Sequence, residues 1–321
     1  MIDSKLYLLI VLFAFTVSCS NDDATIATAP ILQEPEPPST VIVTGTLSLS
    51  LNHKGLKRSY ILYVPEDYDG TKEVPLVFNF HGYTSNAMEQ MQYGDFRDIA
   101  KREGFIIAHP EGLKFNGSTH WNVGGWTLGS TADDIGFTEA MIQEISSNYN
   151  IDQKRIYSTG MSNGGFFSFE LACQLSHKIA AVASVTGSMT PETLADCNPS
   201  QLVPILQFHG TNDVVVPYAG TTWTEHIDNV IDYWVAANEL EDISMTTLVD
   251  DIDETDGSTL ERFQYGEVTD ASTVIHYKVI GGSHTWPGTS IRSSGTNYDI
   301  NASELIWAFF DSYDLEGKRE L

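Results

Sequence analysis

Ser162 lies in Gly160-Met161-Ser162-Asn163-Gly164, directly after the β-branched and aromatic run Arg155-Ile156-Tyr157-Ser158-Thr159 and before a helix-like stretch. A serine held on a tight strand-to-helix turn needs strained backbone dihedrals and neighbours without side chains, which the flanking glycines supply. Such a turn presents the hydroxyl at the C-terminal edge of a sheet. The helix beginning at Asn163 then sets its positive end under any oxyanion formed there. The chemistry of a serine so placed is nucleophilic attack on a carbonyl, and it needs a base and an acid to orient that base.

Both are present downstream, in the order serine, acid, histidine. Pro204-Ile205-Leu206-Gln207-Phe208 reads as a buried strand running into His209-Gly210-Thr211-Asn212-Asp213, so Asp213 falls on the loop past that strand's C-terminal end. Val274 to Val279 alternates like a last strand and leads into Gly281-Gly282-Ser283-His284-Thr285-Trp286-Pro287-Gly288, which makes His284 the candidate base. Upstream, Val74 to Phe80 is another apolar strand, ending in His81-Gly82-Tyr83-Thr84. The loop after such a strand carries one of two oxyanion donors, and the backbone N–H groups of Tyr83 and Asn163 are the expected pair. His81 and His209 are read as structural, with their rings hydrogen-bonded to loop backbone.

Positioning these residues takes a sheet with helices on both faces. Strand-like runs at Leu47 to Leu51, Ser59 to Val64, Val74 to Phe80 and Phe105 to His109 precede the elbow, and others follow at Ala180 to Thr186, Ile205 to Phe208 and Val274 to Val279. Helical patterns intervene at Ala87 to Arg102, Ile135 to Asn148, Gly164 to Leu175, Glu225 to Ala237 and Ala302 to Tyr313. This alternation predicts an α/β fold with a mostly parallel central sheet. Asp133 and Asp134, just before a helix, are expected to cap it rather than to act in catalysis.

Four of these segments together resemble the polyhydroxybutyrate depolymerase and feruloyl or acetylxylan esterase group of α/β-hydrolases, the first family of carbohydrate esterases. They are the Phe-His-Gly loop at His81, Gly-Met-Ser-Asn-Gly-Gly at Ser162, His-Gly-Thr-x-Asp at Asp213 and Gly-Gly-x-His-Thr-Trp-Pro-Gly at His284. The resemblance spans roughly Thr46 to Tyr313 and implies a serine carboxylesterase: Ser162 as nucleophile, His284 as general base and then acid, and Asp213 as the residue that orients the imidazole. Many depolymerases of the group carry a cysteine after the oxyanion His-Gly where this chain has Tyr83, a departure that weighs against a polymer substrate more than against ester chemistry.

The length of 321 residues accommodates one large α/β domain plus tails, and 42% hydrophobic residues provide a sizeable core. A formal charge of −26 repels nucleic-acid phosphates and anionic membrane, so a nucleic-acid partner is excluded on electrostatic grounds. The N-terminus reads as a processing signal over 1–19: Lys5, an apolar run from Leu6 to Val17 too short to span a bilayer comfortably, then Ser18 and Cys19. Thr16-Val17-Ser18-Cys19 resembles a bacterial lipobox, which implies lipidation at Cys19 and an outer-membrane or cell-surface lipoprotein; an ordinary cleaved signal, giving a secreted or periplasmic protein, is the alternative. Residues 20–40, rich in Thr, Ala, Pro and Glu, read as an extended tether, and 41–321 as a single catalytic domain. Cys173 and Cys197 remain as an even pair in an exported chain and are expected to form a disulfide, two buried free thiols being the alternative. No spacing fits a metal site, the acidic stretch 251–257 departs from a calcium loop, and the chemistry requires no cofactor.

Trp121, Trp126 and Trp286 fall in loops past strand ends and are candidates for the substrate wall, since indole offers a flat apolar face and an N–H donor to a sugar ring or a phenolic acid; buried loop anchors are the alternative. A surface-anchored esterase with such a wall fits removal of feruloyl or acetyl groups from a polysaccharide, ahead of short-chain polyester hydrolysis. A carbohydrate-binding surface lipoprotein on a catalytically dead scaffold is the non-enzymatic alternative.

Overall fold

The computed structural model describes residues 42–241, 244–267 and 271–320, so the expected signal over 1–19 with its lipidation candidate Cys19 and the expected tether over 20–40 lie outside the described residues. The strands in chain order are β1 (Gly45–His53), β2 (Leu56–Val64), β3 (Val74–Phe80), β4 (Ile106–Pro110), β5 (Leu113–Phe115), β6 (Ser118–His120), β7 (Ile151–Met161), β8 (Ala181–Val185), β9 (Ile205–Gly210), β10 (Ser244–Leu248), β11 (Thr259–Tyr265), β12 (Val274–Ile280), β13 (Tyr313–Asp314) and β14 (Gly317–Lys318). Among the described residues, ten of them build one sheet in the order β1-β2-β4-β3-β7-β8-β9-β12-β11-β10. The strands from β4 to β12 across its middle are parallel, and β1, β2 on one flank and β11, β10 on the other are antiparallel.

The helices are α1 (Ala87–Tyr93), α2 (Arg97–Glu103), α3 (Asp134–Asn148), α4 (Asn163–Gln174), α5 (Pro191–Asp196), α6 (Ile227–Ala237) and α7 (Ala302–Asp311). Because successive strand residues point to opposite faces, β3 sends Phe78 and Phe80 to one side and Val77 to the other. Phe78 and Phe80 join a core on one face that also holds Phe137, Phe167 and Trp234 from α3, α4 and α6, with Phe80 edge-on to Phe167; Val77 belongs to the core of the other face, with Ile99 and Phe310 from α2 and α7. The result is a three-layer sandwich in which each fully buried large apolar side chain contributes about 1.5–3 kcal/mol.

Two expectations change here. The helix read over Ala87 to Arg102 is two helices, because the chain passes Trp286 at Gly94: a Cβ there would lie 3.0 Å from the indole, and the Gly94 carbonyl accepts from Asn79 Nδ2 (2.9 Å). Asp133 is the N-cap of α3 and accepts the Gly136 amide, but Asp134 is not a cap. Its carboxylate is buried against Arg58 (Nη2 to Oδ1, 2.7 Å) while Oδ2 accepts the Asn122 amide (2.9 Å) and the guanidinium lies over the Phe137 ring.

Cys173, in the last turn of α4, and Cys197, the residue after α5, are joined by a disulfide that closes 24 residues of sequence. Loop closure of this size is worth about 3 kcal/mol. Replacing both cysteines by serine is therefore expected to lower the urea midpoint by an amount corresponding to that loss; an unchanged midpoint would mean that the unfolded chain gains nothing from the link.

Candidate active site

The elbow joins β7 to α4. Ser162 holds φ 54°, ψ −121°, a conformation that side chains rarely adopt, and its amide donates to the Val185 carbonyl (2.9 Å). Serine is a good helix cap, yet here its side chain makes no capping bond, so the hydroxyl stays free for other work. Gly160 and Gly164 are fixed by backbone approach: a Cβ on Gly164 would sit 2.1 Å from the Phe80 carbonyl oxygen, and one on Gly160 2.6 Å from Gly164. Gly82, on the loop after β3, passes over the elbow, where a Cβ would lie 3.4 Å from that of Ser162.

Asp213 and His284 come from the loops after β9 and β12, two neighbouring parallel strands. His284 Nδ1 is 2.7 Å from Asp213 Oδ2, and the aspartate's other oxygen accepts the amides of Val215 and Val216 (2.8 Å each). The carboxylate is fully buried and the imidazole only partly so. With Nδ1 donating to Asp213, Nε2 is the ring nitrogen left to take a proton. Ser162 and His284 line one cleft of about 560 Å³, walled by Tyr83, Tyr93, Val215 and Ile291, with Glu89 at its edge. Val215 and Ile291 are half-exposed, which gives the mouth an apolar rim.

Sequence reading missed Tyr93, Val215 and Ile291 as wall residues. Tyr93 was absorbed into a helix pattern, and an isolated aliphatic in a loop carries no periodic signal. It also misplaced two tryptophans. Trp121 is fully buried, wedged edge-on to Phe80 and stacked on Phe167, with Nε1 donating to the His81 carbonyl (2.9 Å). Trp286 is buried against Gly94 and Phe96, with Nε1 donating to Ser303 Oγ. Both anchor loops and neither walls the cleft. Trp126 is half-buried, edge-on to Tyr83 at 5.3 Å and beside Trp223, so it touches the site through Tyr83. Asn163, expected only for its amide, also clamps the Trp121 backbone, with Oδ1 accepting from N (2.7 Å) and Nδ2 donating to O (3.1 Å).

His81 is buried, with Nε2 accepting from the Gly112 amide (2.9 Å) and Nδ1 donating to the Gly82 carbonyl (2.7 Å), which fixes a neutral ring. Burial lowers its pKa to about 4, and burial likewise holds His109 and His276 at about 3. All three lie below the ordinary value near 6.5, so the unfolded chain binds protons that the folded one refuses, and stability is lost as pH falls from about 6.5 toward those values. Each such group costs about 1.4 kcal/mol per pH unit in that window. The urea midpoint is expected to drop steeply between pH 7 and 5; a flat profile would mean that the rings are charged in the fold. Among the described residues, no three His, Cys, Asp or Glu side chains converge to hold a metal ion.

A parallel sheet flanked by helices, an elbow serine between β7 and α4, and an aspartate–histidine pair on later loops make this an α/β-hydrolase fold. Residues 131–252, which include Ser162 and Asp213, match the model of the Phospholipase/Carboxylesterase family. The chain is 36% identical over 165 residues to feruloyl esterase B of Piromyces equi, covering 51% of this chain and 30% of that protein, so it spans under a third of that relative's length. Feruloyl esterase D of Neurospora crassa is 24% identical over 278 residues, covering 83% of this chain and 86% of its own. Among solved structures, the acetyl xylan esterase from Aspergillus awamori superposes with a TM-score of 0.60 at 15% identity, covering 82% of this chain and 98% of that one.

Proposed function

We propose that the protein is a serine carboxylesterase of the feruloyl or acetylxylan type, acting on ester groups of polysaccharides. The observation that carries the reading is the 2.7 Å contact of His284 Nδ1 with a buried Asp213 carboxylate in the cleft that also holds the elbow serine. Similarity to feruloyl esterases and to an acetyl xylan esterase supports the substrate class.

In this reading His284 Nε2 takes the Ser162 proton as the hydroxyl oxygen attacks the ester carbonyl. The amides of Tyr83 and Asn163 hold the tetrahedral oxyanion. That of Asn163 opens α4, where helix amides have no internal acceptor, and those of Thr84 and Ser85, next to Tyr83, are occupied by Thr119 and Gly82 carbonyls. The alcohol leaves with the proton from Nε2, and water repeats the cycle to release the acid. The wall of Tyr83, Tyr93, Val215 and Ile291 suits an aromatic or short acyl group, and the open mouth leaves room for a bulky glycan alcohol.

The test is a set of initial rates on methyl ferulate, acetylated xylan and a hydroxybutyrate oligomer. Hydrolysis of either of the first two at rates above the oligomer is expected. Preference for the oligomer would move the protein to polyester turnover, and no hydrolysis together with no labelling by a serine-directed phosphonate would leave a carbohydrate-binding scaffold.

A further inference from the structure

Beside the Asp213–His284 pair lies a second histidine to which the mechanism assigns no step. His209 is on β9, completely buried, and its Nε2 is 2.8 Å from the Val216 carbonyl and 3.6 Å from Asp213 Oδ2. A carbonyl accepts only, so Nε2 carries the hydrogen and Nδ1 is bare. Gln207 is arranged for that tautomer: its Nε2 lies 2.8 Å from the Gly187 carbonyl and 3.1 Å from His209 Nδ1, so one amide hydrogen goes to each. Tyr218 closes the ring edge-on at 5.9 Å. A protonated His209 would face the Gln207 amide donor to donor and would place a second cation beside the carboxylate that His284 uses. Burial lowers its pKa, which keeps the ring neutral.

The geometry closes a small circuit. Val215 and Val216 donate their amides to Asp213 Oδ1, His209 holds the carbonyl of Val216, and Asp213 Oδ2 is left to His284. We propose that His209 is a positioning residue of the reaction: as a neutral donor to Val216 it fixes the 213–216 turn, and through it the direction in which the Asp213 carboxylate faces His284. This inference rests on the esterase reading above. The titratable groups that face His209 are Asp213 and His284 from the two loops, His276 from β12 and the phenol of Tyr218.

His209→Phe keeps the ring and removes the donor, whereas His209→Gln returns a donor N–H at a similar reach. A misdirected catalytic group costs on the order of 10²-fold in rate. The phenylalanine variant is expected to lose about that in kcat on p-nitrophenyl acetate with KM within about twofold. The acid limb of kcat/KM should also move to lower pH, since a carboxylate turned away stabilises the His284 imidazolium less. His209→Gln should recover most of the rate and return the limb to its place. A phenylalanine variant with wild-type kcat and limb, or a glutamine variant no better than phenylalanine, overturns the proposal. The downfield NMR signal of the His284 Nδ1 proton reads the same contact without turnover: it should weaken or move upfield in His209→Phe and persist in His209→Gln. An unaltered signal in both refutes the positioning role even if the protein hydrolyses no ester. Failure of the esterase reading is seen separately, as wild-type protein that a serine-directed phosphonate does not label.

Discussion

Replacing Ser162 by alanine is expected to lower turnover by about 10⁴- to 10⁶-fold and to abolish labelling by a phosphonate, with the melting temperature unchanged. The size follows from the nucleophile's place in a unit: without the oxygen, His284 has no proton to take and the oxyanion site has nothing covalent to stabilise. Stability should be spared because the Ser162 side chain makes no capping bond and alanine meets the same backbone strain. Circular dichroism and urea titration beside the rate assay separate the two effects. Residual activity within tenfold of wild type would remove Ser162 from the mechanism, and a collapsed fold would show that the hydroxyl has a structural role that its surroundings do not display.

Asp134→Ala should have the largest effect on stability, about 3–5 kcal/mol, because it leaves the Arg58 guanidinium buried without its anion. The Asn122 amide is orphaned at the same time. For a domain of this size each kcal/mol moves the melting temperature by roughly 2–4 °C, so a fall of about 6–20 °C is expected. Asn122 follows Trp121, whose backbone is clamped by Asn163, so this loosening reaches the elbow. The double variant Arg58→Met/Asp134→Leu should regain part of the loss, since removing both charges leaves none uncompensated. A single variant that melts with the wild type would mean that water enters to solvate Arg58.

The parallel centre of the sheet was readable from sequence because strands covered on both faces are continuous apolar runs: Val74–Phe80 is found as read, and the other central strands differ by a few residues at their ends. The antiparallel additions β10 and β11 were not readable. Ser-Met-Thr-Thr-Leu and Thr-Leu-Glu-Arg-Phe-Gln-Tyr are mixed runs, mostly exposed in β10 and half-buried in β11, and they resemble loop until a neighbour pairs with them. Ser162, Asp213 and His284 could be picked out because a motif fixes each at a strand end. Cleft walls have no such marker. Trp121 and Trp286 have the right chemistry and chain position for a wall, but burial depth is set by packing against Phe80, Phe167 and Phe96, contacts distant in sequence. The pairing of Arg58 with Asp134 across 76 positions is hidden for the same reason.

The backbone contact between Gly164 and the Phe80 carbonyl bears on how such a protein can be altered. With a methyl group there forced to 2.1 Å from that oxygen, position 164 tolerates almost no side chain, and libraries randomised at it will return mostly unfolded clones. Tyr93, Val215 and Ile291 stand on other segments and turn side chains into the cleft. Diversity placed at those positions can reshape acyl preference while the serine stays where two crossing backbones put it.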